Sequence, residues 1–447
     1  MSDLLSIGAS GVRAYQTALN VVGENIANTG TDGYSRRTTN LTEVGNVAGR
    51  ISNTLTAGSG VIVTGIARST DSYASAGVRS ATADLKRTQS GVTWLNRIQD
   101  VMTGDQVSER LTSFFTAARG LAADPTSGAL RTSMMEAANS AAFAFTATNK
   151  AFDSMNADFD SQARDSARQL SSLAASLTAV NDGLTRTQPN SAAAAQLADQ
   201  RDQLMSQMSG LSDVSVSTDE LGRATVRLGD RAGPVLVSPT VLGAVSYSRD
   251  AGGGVSFSVM SEGQSSAFVP SGGTIGGLLD GAERIAAMRN SFNTVAQDFV
   301  TTVNTIQAQG QDANGNAGQP LFSLTSGSAA MTVALTDPSQ IAAAGVGKGP
   351  RNTDNLSAIE ASRYTGKFEG RLTQIISDNA STLQQKQTIA DAQTSILDGA
   401  NSALSSATGV TLDNEAVSLM RFQQAYSASG RVIQVARETL QTILDIR

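Results

Sequence analysis

Carboxylates are the residues of this chain with the most scope for chemistry, because it contains neither histidine nor cysteine. The commonest general base and metal ligand is therefore missing, as are thiolate nucleophiles, thiolate metal sites and disulfides. Three stretches still offer suitable residue types. In DANGN, Asp312, Asn314 and Asn316 have the alternate spacing that opens a calcium loop. The glycine is misplaced, however, and Ser323 stands where a bidentate glutamate is needed. A turn-rich loop explains the stretch better. GGTIGG, Gly272 to Gly277, puts glycines before a helix, as phosphate loops do. It lacks the following Lys-Ser/Thr and the full dinucleotide fingerprint, so a hinge is expected. In DQRDQL, Asp199 and Asp202 flank Arg201 on a helix. An acid–base pair needs a pocket with few other charges; three residues apart on a helix, these read as a solvated face or a local salt bridge. No catalytic, metal-binding or cofactor-binding constellation emerges, and the chain reads as a non-enzyme.

Composition narrows the class further. A chain of 447 residues exceeds one ordinary compact domain and points to roughly two to four. Aromatic residues make up 4% and charged residues 16%, so thin helical bundles are expected rather than large hydrophobic cores. The net charge of −6 is spread along the chain, and no basic run exceeds Arg36-Arg37, which argues against nucleic-acid binding. No stretch approaches the ~20 apolar residues of a membrane span. The start, MSDLLSIGASGVRAY, lacks a basic leader and an apolar signal core. The expectation is a protein of the cytoplasm, or one exported without signal cleavage, with no membrane insertion.

The elements that could organise such a chain sit at its two ends. Leu5, Val12, Leu19 and Ile26 recur every seven residues, with Gly8, Tyr15 and Val22 three residues after the first three. Leu412, Leu419, Tyr426, Ile433 and Leu440 repeat likewise, with Phe422, Ala436 and Ile443 on the companion position. Both are coiled-coil seams. Asp413 is a candidate N-cap, and Glu415 falls in the first turn, where the helix dipole favours an anion. Gly8, Gly11 and Gly23 each cost about 1 kcal/mol relative to alanine, so the first helix is weak alone and is expected to order only when packed. Between the ends, residues 78–120, 129–183, 191–209, 271–309 and 357–407 read as helices, with Ser127 capping after the break at Pro125. Residues 211–270 alternate with period two and read as strands, the first two forming a hairpin around Glu220–Gly222. The resulting fold class is mainly α with a small inserted β-rich domain, nested so that the terminal helices pair as a coiled coil. Its expected parts are 1–35 with 408–447 as the terminal coiled-coil domain, 36–210 with 271–407 as a discontinuous helical domain, and 211–270 as a β-rich outer domain.

One stretch, NIANTGTDGYSRR, over-fills the role of a helix stop. Its Asn25, Ile26, Ala27 and Asn28, followed by Thr31, Gly33 and Tyr34, resemble the N-terminal signature of the bacterial flagellar axial proteins. That family comprises rod, hook and hook-associated proteins, with Asn-Ile-Ala-Asn followed by Thr-Pro-Gly-Tyr. Asp32 stands where proline is usual, which makes the turn less rigid but leaves glycine at its third position. The end, LMRFQQAYSASGRVIQVARETLQTILDIR, is similar to the family's C-terminal stretch. The interior segments ADQRDQLMSQMSGLSDVSVS, GGLLDGAERI, GQDANGNAGQPLF, VALTDPSQIAAA and GVTLDNEAVSLMRFQQAY resemble, in order, the hook-associated branch.

The resemblance implies a structural component of the flagellum, forming a ring of its own copies between hook and filament. Its implied partners are itself, the hook protein, the next junction protein toward the filament and a flagellar export chaperone on the C-terminal helix. Its implied route is the flagellar type III apparatus, to an extracellular location, and the chain is short for the family. The alternatives are a hook or distal rod protein, expected to be richer in β structure between the ends, or another type III secreted coiled-coil protein. In this frame NIANTGTDGYSRR is a corner between the terminal helix and the next domain. Tyr34, Arg36 and Arg37 are then placed to hold a neighbouring subunit.

Overall fold

The computed structural model describes residues 2–44 and 60–445. Helix α1 (Ser2–Ala27) leads into a hairpin of β1 (Arg37–Glu43) and β2 (Val61–Arg68), paired antiparallel from Arg37 opposite Arg68. The body follows with α2 (Ser72–Gly104), α3 (Val107–Ala123), the 59-residue α4 (Gly128–Arg186) and α5 (Ala192–Leu211). Asp71, Ser127 and Ser191 cap three of these by accepting from the backbone amides of Ala74, Leu130 and Ala194; each such cap contributes about 1 kcal/mol. The single helix expected over 78–120 is two helices. It starts earlier, at Ser72, and breaks at Gln106, which takes a left-handed φ of 50°.

Two three-stranded antiparallel sheets come next: β3 (Val214–Thr218), β4 (Ala224–Leu228) and β5 (Val235–Val237), then β6 (Ala244–Arg249), β7 (Val255–Ser261) and β8 (Gln264–Phe268). The β3–β4 hairpin has the expected turn, with Gly222 at φ +80°. These strands do not close a core apart from the helices. Val226, Leu236, Phe257 and Val259 join the same buried cluster as Phe152, Phe159 and Leu170 of α4. Asn181 of α4 pins β4 at both backbone groups of Ala224, donating at 2.9 Å and accepting at 2.8 Å.

Helix α6 (Gly273–Ala308) returns through the body, followed by short strand pairs, α7 (Asp354–Gly366), α8 (Phe368–Thr408) and α9 (Leu412–Asp445). Of the glycines expected to form a hinge before α6, Gly273 takes a left-handed φ of +72° at the helix start, while Gly277, like Gly281 further on, lies inside the helix in close packing. A β-carbon at Gly277 would overlap the Arg87 carbonyl, and one at Gly281 would lie 2.7 Å from Trp94 Cδ1. The scarcity of aromatics misled on the core: those present are concentrated. Phe114, Phe115, Phe145, Phe299, Phe322 and Phe368 are all fully buried and in mutual ring contact. Aromatic pairs in such geometry add about 0.5–1.5 kcal/mol each beyond area burial.

Helix α1 finds a partner within the chain. It packs antiparallel on α9, with Gly8 against Ile433, Gly11 against Ser429, and Tyr15 6.4 Å from Phe422 between ring centroids. Helix α9 begins at Leu412, so Asp413 lies inside the helix and does not cap it.

Candidate functional site

The corner predicted at NIANTGTDGYSRR is a junction of four elements. After α1 ends at Ala27, Thr31 to Tyr34 make a turn closed by the Tyr34 amide donating to the Thr31 carbonyl at 3.1 Å. Gly33 occupies the third position with φ +80°, a left-handed conformation that costs a side-chain-bearing residue about 1–2 kcal/mol. The Arg36 amide then donates to the carbonyl of Thr408, the last residue of α8, at 2.8 Å, and β1 begins.

Asn25 is the hub and is fully buried. Its Nδ2 donates to the Arg37 carbonyl at 2.8 Å and to Glu415 Oε2 at 3.0 Å. Its Oδ1 accepts from the Tyr34 hydroxyl at 2.8 Å and from the Arg37 amide at 3.0 Å. Two donor hydrogens and two acceptor sites are all the amide has, and all are used. Glu415, also fully buried, takes Arg36 Nε on its other oxygen at 2.6 Å.

A second ion-pair chain runs from Arg37 into the body. Its Nη1 lies 3.3 Å from Glu24 and its Nη2 3.0 Å from Asp199. Asp199 also accepts from Arg68 Nε at 2.6 Å, and Arg68 Nη2 reaches Asp202 at 2.6 Å. Asp202 bonds Arg201 at 2.7 Å, and Arg201 donates onward to the Gly222 carbonyl. Burial opposes the charge on Arg68, but Asp202 and Asp199 outweigh it and raise its pKa. Burial pushes the Tyr34 phenol up to about 12, against the partial offset of Arg37, whose guanidinium stands 4.9 Å over the ring. Glu24, Asp199, Asp202 and Glu415 are each paired with an arginine. These pairings fix the positions of the chain segments that meet here.

Two expectations change here. Asp199 and Asp202 are not a solvated face: Asp202 makes the local salt bridge with Arg201, and both acids also bind the hairpin to α5. Arg36 and Arg37 are taken up inside the chain rather than left for a neighbour. From the sequence, Glu415 is no more than a partner for the helix dipole. The available signal was its place seven residues before Phe422, on the companion position of the heptad, where an acid is out of character.

Of the remaining motif residues, Asn28 bonds back to the Glu24 carbonyl at 2.8 Å, while Ala27 and Thr31 face outward. Along α1 the fully buried line within the chain is Gly8, Gly11, Ala14, Ala18, Val21, Val22 and Asn25. Of the predicted seam only Val22 is on it; Leu5, Val12, Tyr15, Leu19 and Ile26 are half-buried on one flank. On α9, Leu419, Phe422 and Ile433 are half-buried against α1, whereas Leu412, Tyr426, Leu440 and Ile443 are exposed. The DANGN loop closes on its own acid, Asp312 accepting from the amides of Asn314 and Asn316 at 2.8 Å each. Burial works against that carboxyl, but these bonds hold it below the usual range.

The arrangement can be compared with known proteins. A family model described as the helical domain of flagellar hook-associated protein FlgK matches residues 95–322, half of the chain. The chain belongs to the FlgK family of flagellar hook-associated proteins. A model for the C-terminal part of the flagellar basal body rod FlgEFG proteins matches residues 402–446, as expected for axial-protein ends. Flagellar hook-associated protein 1 of Salmonella typhimurium is 26% identical over 355 residues, covering 75% of this chain and 63% of that protein. The Escherichia coli protein of the same name is 24% identical over 336 residues, covering 72% and 60%. The chain thus spans less than two thirds of the length of these relatives. The flagellar hook junction protein FlgK from Burkholderia pseudomallei shares the fold, with a TM-score of 0.67 at 13% identity over 73% of this chain and 99% of that one. FlgK-family membership separates the chain from rod and hook proteins, whose ends it resembles.

Proposed function

We propose that the chain is a structural piece of the flagellum that joins hook to filament, built into a ring of its own copies through its terminal helices. The observation that carries this is the outer side of α9. Val417, Met420 and Val435 are 62%, 55% and 58% exposed. At 100° per residue they lie opposite the face that packs on α1. With Leu440, Ile443 and Leu444 also exposed toward its C-terminal end, α9 shows more apolar surface than its contact with α1 covers, which suits a helix that packs on other chains. The division into a terminal helical pair, a discontinuous helical domain over 36–210 and 271–407, and a β-rich portion over 211–270 fits this role, with the pair as the assembling part. The hook protein on one side, the next junction protein on the other and an export chaperone on α9 are its partners in this reading. Its route is the flagellar type III apparatus without a cleaved signal peptide. No helix among the described residues is long and apolar enough to cross a membrane.

Deleting the gene and imaging the cells by electron microscopy tests the reading. Hooks without filaments, with flagellin shed into the medium, are expected. Missing hooks would move the assignment to a hook or rod role, and normal filaments would overturn it.

A further inference from the structure

We infer that Asn25 and Glu415 form a register lock that selects one antiparallel alignment of the two chain ends. The seam of α1 is built from Gly8, Gly11, Ala14 and Ala18. The small residues of α1 receive larger ones of α9, Gly8 facing Ile433 and Gly11 facing Ser429, and a heptad slip offers them residues that are again mostly apolar, Leu440 or Tyr426 at Gly8 and Ala436 or Phe422 at Gly11. Apolar character alone therefore does not single out one alignment. The polar pair discriminates strongly. Asn25 is held in place by Tyr34 and by both backbone groups of Arg37, which leaves one amide hydrogen aimed at α9. In the observed alignment Glu415 receives it at 3.0 Å and is itself met by Arg36 at 2.6 Å. A heptad slip removes Glu415 from the corner: in one direction Phe422 takes its place and leaves the Asn25 hydrogen unpaired, and in the other α9, which begins at Leu412, no longer reaches Asn25. A buried polar group without its partner is strongly disfavoured, and a single buried asparagine is a known way to fix helix register. The lock is tied to the body through Arg37 and Asp199, so the alignment of the ends is set by the folded corner and not by the ends alone.

The absence of cysteine makes the alignment measurable in the full chain, because any disulfide comes only from introduced residues. Gly11→Cys with Ser429→Cys reports the observed alignment, since a β-carbon at 11 lies 3.1 Å from that of Ser429. Gly11→Cys with Phe422→Cys, or with Ala436→Cys, reports slips of one heptad. After oxidation, the 11–429 pair is expected to close at least about tenfold more readily than either slipped pair. Glu415→Leu, which keeps the seam apolar and frees Arg36 to solvent, should bring the slipped pairs to within about threefold of it. Glu415→Gln keeps an acceptor for Asn25 and should retain the preference. Equal closure of all pairs with Glu415 present overturns the proposal, as does an undiminished preference in Glu415→Leu. So does loss of the preference in Glu415→Gln with native far-UV circular dichroism.

Discussion

Arg37 Nη2 and Asp199 Oδ2 lie 3.0 Å apart although 162 residues separate them in the chain. The contact joins the residue after the terminal-helix turn to the middle of α5, and both side chains are about nine-tenths buried. It is the point where the orientation of the chain ends becomes part of the body's fold.

Replacing Asp199 with Asn should therefore be costly. It leaves Arg37 with Glu24 and Arg68 with Asp202, but strips a buried double-bridging carboxylate. A loss of about 2–4 kcal/mol is expected, read as a lower denaturation midpoint. Asp202→Asn, at a more exposed carboxylate, should cost less. Equal effects would mean that the network contributes as a diffuse charge cluster rather than through Asp199.

Gly33→Val tests the turn. A β-carbon there has room, its nearest neighbours in Gln203 being 3.8 Å away, so the penalty is backbone strain at φ +80° and not a clash. About 1–2 kcal/mol is expected, and more for a β-branched residue. The body should stay folded by circular dichroism while junction assembly fails in complementation. Normal junctions would reduce the corner to a linker.

Alkaline titration reads the corner directly. The folded Tyr34 phenol is raised from 10.0 to about 12. Between those values the unfolded chain has released a proton that the folded chain keeps, so stability falls as pH rises. This contribution is complete below pH 10 and is lost as pH climbs through about 12. Tyr247 is raised to about 12 as well, by burial and then by its bond to Asp160. Phenolate absorbance should show a late step, reduced by one tyrosine in Tyr34→Phe. A late step of unchanged size in that variant would contradict the assignment.

Trp94 gives an internal probe of the α2–α6 contact. It is the chain's one tryptophan, fully buried, with Gly281 against its ring. Gly281→Val should force the helices apart, costing about 2–3 kcal/mol and shifting Trp94 emission to longer wavelength. Native emission with native stability would mean that the ring can move aside.

The sequence by itself determined the local and periodic features. Ser127 and Ser191 announce helix starts because a hydroxyl satisfies an orphan amide wherever the chain around it is helical. The alternation after Gly210 gives strands, and glycine at the third turn position gives the bend at Gly33. The axial-protein signature also needed no coordinates. What only the tertiary structure decided is which residues meet. Heptad spacing finds the apolar stripes of the terminal helices, but the tightest line between them runs through glycine and alanine, because close approach favours small side chains over the large ones that make a pattern visible. Charge pairing over hundreds of residues leaves no periodic trace at all. Asn25, Glu415 and Asp199 look like a signature residue, a dipole partner and a surface acid until folding buries them together, and burial is what makes each depend on the others.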